Sequence, residues 1–151
     1  MNIAIRKAEA RDVPQMLALV RELAAYEREP EAVTATSDEM LDAGFGARPV
    51  WRGWVAEQPD GAVVGLAVCY TRYSTWKGRC LYLEDIVVTE AMRGKGVGEL
   101  LFRECAKHAV ADDLHSMRWQ VLDWNAGAIR FYERLGADVS EGWLNGDLGK
   151  E

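Results

Sequence analysis

The residues with the clearest chemical potential form a glycine-rich segment, Arg93-Gly94-Lys95-Gly96-Val97-Gly98. It follows an apolar segment predicted to be a strand and precedes one with helical periodicity. Glycines at alternate positions allow a tight turn whose N–H groups point into one concavity, and the start of a helix adds positive potential. Arg93 and Lys95 add charge to a chain whose net charge is −6. The segment therefore predicts a phosphate or pyrophosphate site, with a purely structural turn as the alternative.

Two better-known phosphate-binding loops do not fit this segment. A Walker loop needs GxxxxGK followed by Ser or Thr, and a dinucleotide fingerprint needs GxGxxG early in a βαβ unit. Neither spacing occurs here, and the loop lies about two-thirds of the way along the chain. Nucleotide triphosphate and dinucleotide binding are therefore disfavoured.

The elements that must position this loop follow from periodicity and turn residues. Asp12, with Gln15 three residues later, is predicted to cap the first helix, and Gly44 to end the second. Strands are predicted at 3–7, 50–57, 62–72, 80–88 and 116–122, with a last one at 138–143; helices are predicted from 12, at 37–43, from the loop to about 111, and at 125–135. This order predicts an α/β protein with a mixed sheet and helices on both faces.

Composition limits the protein class. A chain of 151 residues with ordinary apolar content predicts a single domain, residues 1–151. The acidic charge argues against nucleic-acid binding and is compatible with cationic substrates. No apolar run approaches the ~20 residues that span a bilayer, and the N-terminus lacks signal-peptide features, so no membrane association and a cytoplasmic location are expected. The three cysteines are expected to be reduced core thiols, and no metal-ligand spacing is present, so no metal is expected.

The chain resembles the GNAT acetyltransferase superfamily, whose loop pattern is (Arg/Gln)-x-x-Gly-x-(Gly/Ala). Residues 93–98 satisfy every fixed position. Within that superfamily the chain is similar to the diamine (spermidine/spermine) and thialysine N-acetyltransferase branch over nearly its whole length. The similar stretches include Tyr26-Glu27, Tyr82-Leu83-Glu84-Asp85-Ile86, Leu122-Asp123-Trp124-Asn125, Phe131-Tyr132 and Glu141-Gly142-Trp143.

This resemblance implies a GNAT fold, a mixed and mostly antiparallel sheet with a splayed V between two central parallel strands. Acetyl-CoA would lie in the V as co-substrate. Its pyrophosphate would bind the amides of the glycine-rich segment, Arg93, Gly94, Lys95, Gly96, Val97 and Gly98. Its pantetheine arm would pair with the backbone of Ile86, Val87 and Val88. Asn125 is predicted to cap its helix, with a possible second contact to the cofactor.

The chemistry that the resemblance implies needs a base and an acid. An alkylamine with a pKa near 10.4 is almost entirely protonated at neutral pH, so a proton must be accepted before the amine attacks. Glu84 matches the family's base, and Asp85 is given a secondary role in holding the amine's charge. Neighbouring side chains on a regular strand point to opposite faces, a rule that only a bulge would relax. Tyr132 matches the family's general acid for the leaving thiolate.

Substrate recognition is implied for Tyr26, Glu27 and Trp76, together with Glu84 and Asp85. Tyr26 and Glu27 could equally be the solvated end of the first helix, and Trp76 an exposed hairpin residue. Where polyamine-acetylating relatives read Tyr-Asp-Pro-Trp, this chain has Tyr73-Ser74-Thr75-Trp76. The missing aspartate removes a charge contact for a long polycation.

The primary hypothesis is an N-acetyltransferase that transfers acetyl directly, in a ternary complex, to a small cationic amine, as a homodimer. The second is acetylation of a protein or peptide amine. The third is a non-catalytic acyl-CoA sensor, against which the presence of both Glu84 and Tyr132 argues.

Overall fold

The computed structural model describes residues 2–149. The chain divides into two compact units, Met1–Trp119 and Gln120–Glu151. The prediction of one domain over residues 1–151 stays a prediction.

The order of elements follows the predicted order as far as the last helix. The first unit contains β1 (Ala4–Lys7), α1 (Val13–Tyr26), α2 (Ser37–Phe45), β2 (Arg52–Glu57), β3 (Val63–Ser74), β4 (Gly78–Val88), α3 (Val97–Ala111) and β5 (Met117–Arg118). The second unit contains α4 (Ala126–Arg134). The strand predicted at 138–143 is wrong, because residues 120–149 hold no strand.

The five strands form one mixed sheet in the order β1-β2-β3-β4-β5. The first three pairings are antiparallel, and β4 pairs with β5 in parallel through Leu81–Met117 and Tyr82–Arg118 only. The strand predicted at 116–122 is thus reduced to two residues. Among residues 2–119, no strand pairs with β4 beyond Tyr82 on this edge, so its later backbone groups stay open to a ligand.

The sheet carries helices on both faces, and strand alternation explains the division of the core. Trp54, Ala67 and Leu83 belong to the cluster packed around α3. Val55 and Leu66, each one residue away along its strand, belong to the cluster packed around α1. Since successive side chains of a strand point to opposite faces, β2 and β3 supply both clusters at once. The mixed, mostly antiparallel sheet with helices on both faces is confirmed.

The start of α1 differs from the prediction. Asp12 makes no side-chain cap to α1; its carboxylate accepts a hydrogen bond from Glu9 N at 2.7 Å and pairs with the Arg6 guanidinium at 2.8 Å. Gln15 Oε1 accepts from Val63 N at 2.9 Å instead of closing a capping box. The capping prediction is therefore wrong, because the half-buried Arg6 guanidinium and the Glu9 amide bind the carboxylate instead.

The end of α2 also differs, since the helix runs on to Phe45 and Gly46 follows it. The Trp51 ring packs where a side chain at Gly44 would lie, and its Nε1 donates to Met40 O at 3.1 Å. Gly44 therefore admits an aromatic ring rather than ending the helix.

The Arg6–Asp12 pair leads to a stability prediction. Asp12 is only 2% exposed, and the Arg6 hydrogen bond lowers its pKa. Asp12→Asn should lower the free energy of unfolding at pH 7 by about 2–4 kcal/mol, because the Arg6 charge keeps only Glu57 as a partner. A carboxyl whose pKa is depressed by folding stabilises above its unfolded pKa, so the deficit should shrink below about pH 4.

Urea denaturation at several pH values measures this effect. Asp38→Asn, an exposed carboxylate in the first turn of α2, is the control and should change stability by no more than about 0.5 kcal/mol. An equal loss in both variants, or a deficit that does not depend on pH, would contradict the role given to Asp12.

Candidate functional site

A β-bulge in β4 decides where its two adjacent carboxylates lie. Cys69 faces Leu83 across the β3–β4 pair, whereas the next pair is Val68 and Asp85, so Glu84 is the extra residue. Before the bulge Leu83 packs in the α3-side cluster, and after it Val87 packs in the α1-side cluster. The bulge therefore turns Asp85 toward the α1 side. In a regular strand without a bulge, Glu84 and Asp85 would point to opposite faces of the sheet.

The carboxylates of Glu27 and Glu84 lie near enough to Asp85 for their charges to act on it, and these three residues make up an acid cluster. Burial raises the pKa of Asp85 to about 6, and the charges of Glu84 and Glu27 add to the effect. Burial also raises the pKa of Glu27. Glu27 is the C-terminal cap of α1, where the helix dipole disfavours negative charge. Three carboxylates held together at this energetic cost make a site suited to an organic cation and to proton transfer near neutral pH.

Tyr70 belongs to this site, although sequence reasoning missed it. Its hydroxyl donates to Glu84 Oε1 at 3.2 Å, and its ring lies 5.4 Å from that of Tyr82. The Arg72 guanidinium lies 5.1 Å from the centre of the Tyr82 ring. Burial and the Glu84 charge raise the pKa of Tyr70, so it stays a neutral donor. Only the β3–β4 register brings Tyr70 beside Glu84, and no local motif signals it.

The predicted substrate residues Tyr26 and Trp76 lie in different parts of the fold. Tyr26 lies directly before Glu27 at the end of α1, and the Arg93 guanidinium stacks 5.2 Å from its ring centre. Trp76 lies at the tip of the β3–β4 hairpin and is 89% exposed. At about 3.3 Å per residue, the six residues from Gly78 to Glu84 span about 20 Å, so within one chain Trp76 is not brought to the acid cluster.

Ser74 lies at the start of the turn at the hairpin tip, where the resemblance leads one to expect an aspartate. Ser74 Oγ accepts hydrogen bonds from the amides of Trp76 and Lys77, both at 3.2 Å. The hydroxyl thus stabilises the turn locally and adds no charge.

The glycine-rich loop has the geometry expected of a phosphate cradle. Gly94 and Gly96 have φ of +76° and +83°, in the left-handed region that glycine favours. Gly96 precedes α3 without a side-chain cap. Among the described residues, no acceptor is found for the backbone amides of residues 94–99. Unpaired donors at a helix N-terminus suit the oxygens of a phosphate or pyrophosphate.

The Arg93 guanidinium contacts groups of the protein itself. Its Nε donates to Val88 O at 2.9 Å, and its Nη2 lies 3.4 Å from Glu22 Oε2. Its backbone amide donates to Glu90 O at 3.2 Å. Lys95, by contrast, is exposed at the loop.

The remaining predicted cofactor residues of the first unit lie on β4. Ile86, Val87 and Val88 pair with Ala67, Leu66 and Gly65 of β3 on one edge. Their other edge has no strand partner among residues 2–119. An extended ligand could therefore add to this edge as a further strand does.

In the second unit, Asn125 and Tyr132 belong to α4. Asn125 Oδ1 accepts from Ala128 N at 3.1 Å, so its predicted capping role is confirmed. Tyr132 is buried, and its ring lies 5.2 Å from that of Phe131.

Tyr70 also lines an open groove of about 690 Å³. Its hydroxyl binds Glu84 of the acid cluster, so the groove begins beside that cluster. Its other lining residues include Lys7, Phe45, Trp51, Arg52 and Thr71. The groove extends from Tyr70 toward the α2–β2 connection rather than toward Glu27.

Residues 2–149 contain neither a candidate metal cluster nor a candidate membrane-spanning helix. No group of three or more His, Cys, Asp or Glu side chains in that range has a geometry for holding a metal ion. None of its helices combines the length and the apolar character that crossing a membrane requires.

Comparison with known proteins agrees with the fold and the loop. A model described as the acetyltransferase (GNAT) family matches residues 14–137. Thialysine N-epsilon-acetyltransferase of Bos taurus is 39% identical over 151 residues, covering 93% of this chain and 89% of that protein. Spermidine/spermine N(1)-acetyltransferase-like protein 1 of Homo sapiens is 38% identical over 148 residues, covering 92% of this chain but 21% of that protein.

Solved structures show the same architecture. Aminoglycoside N-acetyltransferase AAC(6')-Iy in complex with CoA superposes with a TM-score of 0.79 over 97% of this chain and 95% of that chain, at 17% identity. At 17% identity, this superposition shows only that the folds are alike. The family model and the relatives near 40% identity show that the chains are homologous. With its glycine loop at the start of α3 and its mixed sheet, the chain belongs to the GNAT family and is an acetyltransferase.

Proposed function

We propose that this enzyme transfers the acetyl group of acetyl-CoA directly, in a ternary complex, to the primary amine of a small cationic substrate. Diamines, polyamines and thialysine- or lysine-like amines form the candidate class. The observation that carries the proposal is the acid cluster, which the β4 bulge assembles beside the end of α1. The printed names of the relatives, thialysine and spermidine/spermine acetyltransferases, support the same class.

The residues present fit acetyl-CoA. The unpaired amides of residues 94–99 and the Lys95 ammonium would hold its pyrophosphate, and the open edge at Ile86, Val87 and Val88 would pair with its pantetheine arm. When bound, acetyl-CoA supplies the acetyl thioester. Overall, a C–N bond forms and the C–S bond breaks; the ammonium loses two protons, of which one ends on the thiol of CoA and the other is lost to the protein or to solvent.

The acid cluster would bind the ammonium and accept its proton. Either of the two β4 carboxylates, Glu84 or Asp85, could accept the proton while the other binds the ammonium. The family resemblance makes Glu84 the base, whereas the environment supports Asp85 for that step. Glu84 is exposed and accepts a hydrogen bond from the Tyr70 hydroxyl. The pKa of Asp85, about 6, lies close to neutral pH, where a general base is most effective. We therefore assign proton acceptance to Asp85 and ammonium binding to Glu84 and Glu27.

Tyr132 would donate a proton to the leaving thiolate, a role that rests on the family resemblance. Tyr26 would contribute an aromatic face for the cation. Trp76 would do so only across a homodimer, because within one chain it lies about 20 Å along the hairpin from Glu84. A homodimer and a cytoplasmic location are part of the same proposal. Because Trp76 lies at an exposed hairpin tip, size-exclusion chromatography of the full chain with a Trp76→Ala variant tests whether that tip supports dimerisation.

The experiment that tests the function is thiol release from acetyl-CoA against a panel of amines. Putrescine, spermidine, thialysine, lysine and lysine-bearing peptides should be compared at equal concentration, with Tyr132→Phe alongside. We expect turnover with at least one small amine, and a loss of about 10–100-fold in kcat for Tyr132→Phe. Turnover with peptides alone would favour a protein acetyltransferase. Tight acetyl-CoA binding without turnover on any amine would contradict the proposal and favour a sensor.

A further inference from the structure

The carboxylate of Glu22, on α1, contacts three groups at the entrance to the glycine loop. Its Oε1 accepts from the Thr89 hydroxyl at 2.8 Å. Its Oε2 accepts from the Glu90 amide at 3.1 Å and from Arg93 Nη2 at 3.4 Å. These partners lie 67–71 residues away along the chain. One side chain therefore ties α1 to the segment that leads from β4 into the loop.

Arg93 extends this connection on its other side. Its Nε holds the Val88 carbonyl at the end of β4, and its guanidinium stacks on the Tyr26 ring at the end of α1. The Glu22 and Arg93 side chains are 37% and 39% exposed. An ion pair that exposed contributes little to overall stability. The contribution of this arrangement is instead geometric, since it fixes where the loop begins.

A glycine loop needs such an external anchor. Gly94, Gly96 and Gly98 lose more backbone entropy on ordering than other residues, and no side chain of theirs packs against the protein. If the loop is ordered before the ligand arrives, binding does not have to supply that entropy. Anchoring at residues 89, 90 and 93 orders the chain immediately before the amides that face a phosphate.

We infer that Glu22 is a positioning residue for phosphate binding, which holds the glycine loop in its binding geometry through Thr89, Glu90 and Arg93. This inference rests on the proposed use of acetyl-CoA at the same loop. In this arrangement Arg93 connects β4 to α1, and the phosphate binds to the loop amides and Lys95. It also links the loop physically to Tyr26, beside the acid cluster.

Glu22→Ala and Glu22→Gln test the inference, because glutamine keeps an accepting oxygen but not the charge. We expect KM for acetyl-CoA to rise about 10-fold in the alanine variant and about 3-fold in the glutamine variant, with kcat at saturation within about 3-fold of wild type. The dissociation constant for CoA, measured by calorimetry, should rise in parallel. In the free protein, amide hydrogen exchange at Arg93 and Leu100, whose N–H groups donate to Glu90 O and Gly96 O on either side of the loop, should accelerate about 10-fold in the alanine variant.

Two further variants keep the test decisive. Thr89→Val removes one of the three contacts without changing charge and should shift the same quantities in the same direction by a smaller factor. Glu31→Gln removes an exposed carboxylate outside the loop and should change none of them. If the Glu22 variants lose thermal stability while CoA affinity and loop exchange stay as in wild type, the inference is overturned.

This test is separate from that of the proposed function. If the wild type acetylates no amine, the proposed function fails, while CoA affinity and loop exchange still decide the role of Glu22. If the wild type is active and the Glu22 variants bind CoA normally, the role of Glu22 fails alone.

Discussion

Asp85→Asn is expected to lower kcat/KM for the acceptor amine by about 10²–10³-fold, the range that a positioned general base contributes. Its carboxyl is raised to a pKa of about 6 by burial and by the neighbouring charges of Glu84 and Glu27. The kcat/KM profile of the wild type should therefore rise with a midpoint near pH 6, since that parameter reports groups of the free enzyme. In Asp85→Asn this rising limb should vanish.

Glu84→Gln distinguishes the two carboxylates. If Glu84 binds the ammonium, the variant loses amine affinity, and its pH limb moves to lower pH because a charge that raised the pKa of Asp85 is gone. If Glu84 is the base instead, Glu84→Gln abolishes the limb and Asp85→Asn leaves it in place. That second pattern would reverse the assignment made here and restore the division that the family resemblance implies.

Stability supplies an independent check on Asp85. A carboxyl whose pKa is raised by folding favours the folded state when protonated, so stability falls as pH rises from about 4 to about 6. Asparagine carries no charge to bury. Asp85→Asn should therefore raise Tm at pH 8 relative to wild type and leave it nearly unchanged at pH 4. A lower Tm at pH 8 would mean that the Asp85 carboxylate stabilises the fold. It would contradict the view that burying this charge lowers stability in return for function.

Gly96→Ala is expected to raise KM for acetyl-CoA by about 10-fold or more. At φ +83°, an alanine costs about 1–2 kcal/mol and is relieved by rotating the backbone, which moves the adjacent amides away from the phosphate position. A Cβ at Gly96 meets no atom within 4 Å, so the effect comes from backbone conformation and not from a clash.

Gly61→Ala is the matched control for that experiment. Gly61 lies in the β2–β3 turn with φ +89°, and a Cβ there also meets nothing within 4 Å. Both variants should lose similar stability, about 1 kcal/mol, in thermal denaturation. Only Gly96→Ala should lose acetyl-CoA affinity. Equal KM values in the two variants would show that the loop conformation does not determine cofactor binding.

Local signals were enough to predict several parts of this protein. The glycine loop was predicted from glycine spacing between an apolar strand and an amphipathic helix, and α3 ends at Ala111 as expected. The Asn125 cap was predicted from residue type and position alone. The strand pattern predicted the mixed sheet, because turn residues and period-2 alternation depend only on near neighbours.

Other features depend on which of several possible partners the fold brings into contact. Asp12 is predicted to cap a helix, but its carboxylate instead binds the Arg6 guanidinium and the Glu9 amide, six and three residues earlier in the chain. The strand predicted at 116–122 keeps only two paired residues, since a strand lasts only as far as its neighbour pairs with it. The register of two strands cannot be derived from the residues of one.

By itself, the sequence determined the family, the glycine-rich loop before α3 and the presence of two adjacent carboxylates on β4. Only the tertiary structure decided that Asp85 turns toward the α1 side, because the bulge at Glu84 exists only in the register between β3 and β4. It also decided that Tyr70 binds Glu84 and that Glu22 holds the loop entrance. Each of these contacts joins residues at least 14 positions apart, and chain folding alone brings such residues within hydrogen-bonding distance.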